Sequence, residues 1–149
     1  RIVGVDYDAE KIETARHSFL RRPETEFVHA DLRTAELPEA DAFLLLDVLH
    51  YMQPEEQRGL IARCAARLKA GGRIIIRDGD AGKAERHKTT AMTEVWSTKI
   101  VGFNKTDGEL HFTSTPELQQ TARRLGLEIH AAHTDAHTSN TVYILTRPE

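Results

Sequence analysis

Short apolar runs that stop at an aspartate recur along this chain, and this pattern constrains its fold more than any other feature. The segment RIVGVDYD at the start stops at Asp6, EFVHADL stops at Asp31, and DAFLLLDVLHYM breaks at Asp47. Apolar runs of this kind, followed by polar or helical segments, are typical of buried parallel strands. The carboxyl ends of such strands form the ligand edge of a sheet, where we expect the Asp6 carboxylate to lie.

The intervening segments carry helix signals. Asp8 can cap a first helix, Pro54 suits the first position of a second, and Gly71-Gly72 would end that second helix. RIIIRD then forms a fourth buried strand that closes at Asp78, Thr115 opens a third helix, and the last 23 or so residues offer a hairpin. The order strand, helix, strand, strand, helix, strand, helix, strand, strand predicts an α/β fold. Its mostly parallel sheet would have helices on both faces and a C-terminal antiparallel hairpin.

Composition limits the classes of partner. The chain has 149 residues, a length that suits one domain, and its net charge of -3 gives no general attraction to nucleic acid or to an anionic membrane. Cys64 is the only cysteine, which excludes an internal disulfide and favours a reducing compartment. No apolar run approaches the roughly 20 residues that span a bilayer. We therefore expect a cytoplasmic protein with no nucleic-acid partner and no membrane span.

Residues 79–114 interrupt the alternation and are predicted to form a lid or substrate insert within a single domain over residues 1–149. A helix is expected from about Ala81 to Val101. Its basic side chains are Lys83, Arg86, His87, Lys88 and Lys99. They would suit an anionic substrate, or they would form an ordinary solvated face. Trp96 and Phe103 would line an apolar substrate wall or pack in the core.

Two groups of polar residues suggest chemistry. A carboxylate at the ligand edge can accept hydrogen bonds from both hydroxyls of a ribose, so Asp6 indicates a nucleoside-containing cofactor, or else it begins a turn or caps a helix. Three histidines that lie close together in the sequence are candidate metal ligands: His130, His133 and His137. His130 and His133 are an odd number of positions apart, so on a strand their side chains would point to opposite faces. No carboxylate pair lies beside them, and no metal site is therefore predicted.

The chain resembles the class I S-adenosylmethionine-dependent methyltransferases over nearly its whole length. The resemblance rests on the ordered set VGVDYDAEKIETAR, FVHADLRTAELP, DAFLLLDVLHYM, ARLKAGGRIIIRD and TSTPELQQTARRLGLE. It implies a Rossmann-like fold, S-adenosylmethionine as cofactor and methyl transfer as activity.

The resemblance also implies roles for particular residues. Asp6 would bind the ribose hydroxyls with Tyr7 next to the adenine, and Asp31 would lie by the adenine amino group with Leu32 near the ring. Leu46 and Asp47 would border the methionine part of the cofactor. The residues that would face the transfer site are Val48, His50 and Tyr51.

One part of the family pattern has no counterpart in these residues. The sequence begins at the family's second strand, so its first strand and glycine-rich loop are absent, and that strand lies between the second and fourth in the family's sheet. Unpaired interior strand edges are avoided in proteins. We therefore expect a preceding segment or a strand from another chain to fill the gap, and we expect these residues alone to bind S-adenosylmethionine poorly.

The leading functional prediction is methyl transfer to a small-molecule or lipid-like acceptor. His50 is the first candidate for a catalytic base because histidine titrates near neutral pH, although it would equally well pack under the cofactor or cap a helix. Tyr51 would orient the acceptor or fill the edge of the core. The alternatives are a degenerate, non-catalytic interaction module and, on the strength of the acidic residue after the second strand, a nicotinamide-dependent oxidoreductase.

Overall fold

The computed structural model describes residues 1–18, 22–81, 110–132 and 140–148. The strands are β1 (Ile2–Asp6), β2 (Thr25–His29), β3 (Ala40–Leu46), β4 (Leu68–Gly79), β5 (Glu128–Ala132) and β6 (Asn140–Thr146). The helices are α1 (Ala9–Arg16), α2 (Pro54–Arg67) and α3 (Thr115–Arg124), and a short 3-10 helix covers Leu49–Tyr51. This order follows the predicted one, and the chain divides into two compact units, residues 1–37 and 38–149.

The first unit is a strand, helix, strand motif. β1 and β2 pair in parallel from Ile2 opposite Thr25 to Asp6 opposite His29. Asp8 caps α1 as predicted, because its Oδ1 accepts hydrogen bonds from the backbone N–H groups of Glu10 at 2.9 Å and Lys11 at 3.3 Å. The helix ends at Arg16, earlier than the predicted end near Pro23.

The second unit carries a four-stranded sheet in the order β3-β4-β6-β5. β3 and β4 are parallel, whereas β6 runs antiparallel to both of its neighbours. The predicted terminal hairpin is therefore confirmed, and its second strand inserts between β4 and β5. The mixed sheet confirms the predicted α/β fold class.

The core of the second unit lies between this sheet and its helices. The apolar face of α2 is buried, and in β4 the alternate residues Ile74 and Ile76 are almost fully inaccessible. Leu118 and Ala122 bury the inner face of α3. Burial of this kind is the main favourable contribution to the stability of a fold.

The Gly71-Gly72 pair does not end α2, which was the prediction. The helix ends at Arg67, and Leu68 already pairs with Ala40 as part of β4. The register then shifts before Arg73, and Gly71 takes a positive φ of 68° in this irregular stretch. The pairing of Leu68 with the neighbouring strand overrides the local tendency of the helix to continue.

Within the described residues, β1 hydrogen-bonds only to β2 and β3 only to β4. Large apolar side chains are exposed on these strands: Ile2 is 58% exposed, Leu44 60% and Leu46 47%.

Several predictions fall on other parts of the chain. Most of the insert, with Trp96, Phe103 and the basic side chains, lies outside the described residues, as do His133 and His137. The single-domain prediction and the insert boundaries therefore stay predictions. No helix among the described residues combines the length and the apolar character needed to cross a membrane.

Candidate active site

The first unit presents Asp6 at the carboxyl end of β1. Its Oδ1 accepts a hydrogen bond from the backbone N–H of Asp8 at 2.8 Å, which fixes the carboxylate at the turn into α1. The other oxygen, Oδ2, has no partner among the described residues and can accept further hydrogen bonds. Tyr7 follows with 46% of its surface exposed, and its carbonyl accepts a hydrogen bond from Nε2 of His29 at 2.8 Å.

Asp31 and Leu32 follow the neighbouring strand, β2. The Asp31 carboxylate accepts hydrogen bonds from the Arg33 guanidinium at 2.6 Å and from the Arg33 backbone N–H at 2.8 Å. Because β1 and β2 are parallel, Asp6, Tyr7, Asp31 and Leu32 lie at one edge of this two-stranded sheet. A free carboxylate oxygen beside aromatic and aliphatic side chains fits a nucleoside, so these residues could hold that part of a cofactor.

The second unit presents Leu46 and Asp47 where β3 ends. Asp47 has a φ of 54°, a left-handed conformation that aspartate tolerates better than most residues with side chains. Its backbone N–H donates to the Arg77 carbonyl at 2.8 Å, and its carboxylate forms an ion pair with the Arg77 side chain. Backbone strain of this kind is often found at functional sites. The turn leads directly into the 3-10 helix that carries His50.

His50 and Asp78 form a buried pair at the carboxyl ends of β3 and β4. The side chains are 3% and 8% exposed, and His50 Nδ1 lies 2.6 Å from Asp78 Oδ1. The backbone N–H of His50 donates to Asp78 Oδ2 at 3.2 Å, and that of Gly79 donates to Oδ1 at 2.7 Å. An ionised carboxylate can only accept, so the proton of a neutral imidazole lies on Nδ1 and the lone pair lies on Nε2. Nε2 is buried and has no hydrogen-bond partner among the described residues.

Two aromatic rings contact the His50 imidazole. The Tyr51 ring centroid lies 4.1 Å away with the planes tilted by 49°, and Phe112 stacks at 5.2 Å and 27°. The imidazole is therefore restrained by a hydrogen bond at one edge and by rings. This arrangement suits a general base, because its proton-accepting atom has a fixed direction.

A second buried polar cluster lies nearby in the sequence, at Asp80. Asp80 Oδ2 accepts hydrogen bonds from the hydroxyl groups of Thr115 at 2.8 Å and Tyr143 at 3.3 Å. Burial raises the pKa of the Tyr143 phenol, and the Asp80 carboxylate adds to the rise. Tyr143 thus stays neutral, and the cluster ties the end of β4 to α3 and β6.

Sequence reasoning selected His50 but missed Asp78 as its partner. The available signal was that Asp78 closes the next strand in the chain, so its carboxylate could reach the same sheet edge as the residues after Asp47. Phe112 and the residues that hold it gave no comparable signal. Among the residues that the structure describes, no group of three or more histidine, cysteine or acidic side chains is placed to hold a metal ion.

The family model for the O-methyltransferase domain matches residues 3–112. An O-methyltransferase family protein from Burkholderia thailandensis is 28% identical with a TM-score of 0.62, and the match covers 83% of this chain and 36% of that one. Human N-acetylserotonin methyltransferase, solved in complex with S-adenosylmethionine, is 19% identical with a TM-score of 0.71, covering 100% of this chain and 41% of that one.

Magnesium protoporphyrin IX methyltransferase from Synechocystis, solved with bound S-adenosylhomocysteine, is 17% identical with a TM-score of 0.67 over 97% of this chain and 63% of that one. The chain therefore spans between 36% and 63% of the length of these three structures. No curated protein sequence matches the chain. The matches show the fold of the class I S-adenosylmethionine-dependent methyltransferases, and the chain belongs to the O-methyltransferase domain family.

Proposed function

We propose that this chain contains the nucleoside-binding residues and the catalytic base of an S-adenosylmethionine-dependent O-methyltransferase. The methyl acceptor would be a small molecule or a lipid-like molecule. The observation that carries the proposal is the buried His50–Asp78 pair, whose Nε2 has no partner among the described residues. A buried imidazole oriented by a carboxylate is the arrangement that a hydroxyl acceptor needs for removal of its proton.

The residues that follow the strands have proposed roles in holding the cofactor. Asp6 would accept hydrogen bonds from the ribose hydroxyls, with Tyr7, Asp31 and Leu32 around the adenine. Leu46 and Asp47 would border its methionine part. When bound, S-adenosylmethionine supplies an electrophilic methyl group on a sulfonium.

The chemical role of this chain is then proton removal and orientation. His50 Nε2 would take the proton of the acceptor hydroxyl as that oxygen gains the methyl group, and the methyl–sulfur bond would break to leave the neutral thioether S-adenosylhomocysteine. The Asp78 carboxylate stabilises the imidazolium that results and keeps Nδ1 protonated throughout. Burial of the pair excludes water, which strengthens this electrostatic support. Tyr51 lies against the imidazole and would help to orient the acceptor.

The acceptor class rests on the solved relatives, which are named as methyltransferases of N-acetylserotonin and magnesium protoporphyrin IX. Both are small molecules of very different shape, so we propose only that class for this chain. The basic side chains of the insert would favour an anionic acceptor. The single cysteine favours the cytoplasm as the compartment.

The unpaired strand edges decide which polypeptide should be used to measure activity. β1 and β3 each have one unpaired edge within the described residues, and pairing with a further strand would satisfy the backbone groups of such an edge. We propose that residues outside this chain supply one, either in a longer polypeptide or in a second chain. Catalysis should therefore be assayed on the natural polypeptide that contains these residues.

The test compares His50→Ala with the matched control His17→Ala, a change at an exposed histidine on the first unit. We expect His50→Ala to lower kcat for methyl transfer by about 10²–10⁴-fold while the affinity for S-adenosylmethionine stays within about twofold. His17→Ala should leave both unchanged. A His50→Ala enzyme with a normal kcat would refute the proposed base. A wild-type protein that binds no S-adenosylmethionine would favour the non-catalytic module, and one that binds a nicotinamide cofactor instead would favour the oxidoreductase.

A further inference from the structure

Gln57 lies on α2 and takes no part in the proton transfer proposed for His50. Its side chain is nevertheless almost fully buried, at 3% exposure. Its Nε2 donates hydrogen bonds to the carbonyl of Met52 at 3.0 Å and to the carbonyl of His111 at 2.6 Å. Its Oε1 accepts a hydrogen bond from the Thr113 hydroxyl. Both ends of a buried amide are thus used, and two of the three bonds go to a segment more than 50 positions away in sequence.

That segment is also joined to His50 itself. The backbone N–H of His111 donates to the His50 carbonyl at 2.9 Å. Residue 111 therefore bonds to His50 through its N–H and to Gln57 through its C=O. The next residue along, Phe112, is the one that stacks on the imidazole.

The space for the Phe112 ring is left by Gly79. A Cβ at position 79 would lie 2.8 Å from both Cδ1 and Cε1 of Phe112, which is closer than carbon atoms can approach. The backbone N–H of Gly79 also donates to the Asp78 carboxylate. The ring therefore lies over the end of β4, next to Asp78.

We propose that Gln57 is a positioning residue for His50. It holds the segment 111–113 so that Phe112 lies against the imidazole and keeps Nε2 directed at the acceptor. The inference rests on the proposed function, since it assigns a residue to the orientation of the same base. Geometry of this kind affects rate strongly, because a displacement of about 1 Å can lower a rate by roughly 10²-fold.

Kinetics on the natural polypeptide test the role with Gln57→Leu and Phe112→Leu. Each should lower kcat by about tenfold or more, an order of magnitude set by the cost of misplacing a catalytic group, with KM for the acceptor within about twofold. The matched control is Gln120→Leu, the same chemical change at an exposed glutamine on α3, and it should leave kcat unchanged. In a His50→Ala background, neither Gln57→Leu nor Phe112→Leu should lower kcat further, because no base remains to be positioned.

A second measurement does not depend on activity. Diethyl pyrocarbonate labels accessible histidines, and mass spectrometry resolves His50 from the exposed His17. We expect both variants to raise the His50 labelling rate at least fivefold relative to His17. Alkylation of Cys64, which is 1% exposed in the core of the second unit, reports general unfolding and should stay slow. Phe112→Leu keeps the Gln57 bonds intact, so it remains informative if Gln57→Leu does not fold.

The outcomes separate the two proposals. If His50→Ala retains full kcat, the proposed function fails, whereas His50 labelling still reports whether the segment restrains the imidazole. If His50 is essential but Gln57→Leu and Phe112→Leu have a normal kcat and normal His50 labelling, the positioning role is wrong. A loss of kcat that is equally large in the His50→Ala background would show a general structural effect and would overturn the inference as well.

Discussion

Removal of the Asp78 carboxylate should destabilise the second unit by an amount that the structure predicts. Two oxygens accept three hydrogen bonds: Oδ1 from His50 Nδ1 at 2.6 Å and the Gly79 N–H at 2.7 Å, and Oδ2 from the His50 N–H at 3.2 Å. Asp78→Ala removes the acceptor of all three donors, which belong to the buried residues His50 and Gly79. The cost of removing one member of a buried pair of this kind is about 3–5 kcal/mol in the free energy of unfolding.

Asp78→Asn should lower the free energy of unfolding by less than Asp78→Ala does. The amide oxygen can replace Oδ1 and keep the two shorter bonds, but its NH₂ group then faces the His50 backbone N–H, and a donor opposes a donor. We expect a loss of about 1.5–3 kcal/mol, the range for one hydrogen bond to a charged group. The control is Asp41→Asn, at a carboxylate 86% exposed and paired with Lys69, where surface ion pairs contribute about 0–1 kcal/mol.

The measurement is urea unfolding followed by circular dichroism, together with the rate at which Cys64 becomes accessible to a thiol reagent. The expected order of stability is wild type and Asp41→Asn, then Asp78→Asn, then Asp78→Ala. An Asp78→Ala protein as stable as Asp41→Asn would show that the carboxylate does not hold His50. Equal losses for Asp78→Asn and Asp78→Ala would refute the assignment of two bonds to one oxygen.

Three further predictions test other parts of the structure. Burial raises the pKa of the Cys64 thiol from 9.0 to about 12, so this thiol ionises at lower pH in the unfolded chain than in the folded one. Its contribution to the free energy of unfolding is fully present below pH 9.0 and should be lost as pH rises toward 12. Cys64→Ala should remove that slope in denaturation curves, and an unchanged slope would contradict it. Asp6→Ala should weaken S-adenosylmethionine binding by roughly tenfold or more in calorimetry, since hydrogen bonds to a charged group are lost, with Asp41→Ala as the control whose affinity stays normal. The 149 residues alone should bind S-adenosylmethionine more weakly than micromolar, and a micromolar dissociation constant would argue against the need for a further strand.

The fold was predictable where local chemistry and burial agree. Asp8 caps α1, Pro54 opens α2, and the apolar spacing of Ile74 and Ile76 gives a buried strand, because each choice is favoured both locally and by the packed sheet. Gly71-Gly72 was misread because glycines after a helical pattern usually mark its end. Here the pairing of Leu68 with Ala40 starts the strand three residues earlier, and only the three-dimensional neighbour decides that.

The site was predictable only as far as it follows from strand order. His50 follows β3, so its position near the ligand edge could be read from the sequence. Its partner was indicated only by the position of Asp78 at the end of the next strand, because the contact itself depends on the pairing of β3 with β4 in register. The contact with Phe112 was still harder to predict, because the side-chain bonds that hold its segment come from a glutamine on α2 and join positions 54 and 56 apart.

The four strand-end aspartates show how one residue type at one kind of position acquires different roles. Asp31 and Asp47 are engaged by arginines, Arg33 and Arg77, and their charges are balanced within the chain. Asp78 is buried against an imidazole, where its charge can stabilise a proton on His50. Asp6 has only a backbone partner, on one oxygen, among the described residues. Strand order therefore places all four at sheet edges, but the partner of each carboxylate decides whether it can bind an external hydroxyl, and that reasoning selects Asp6.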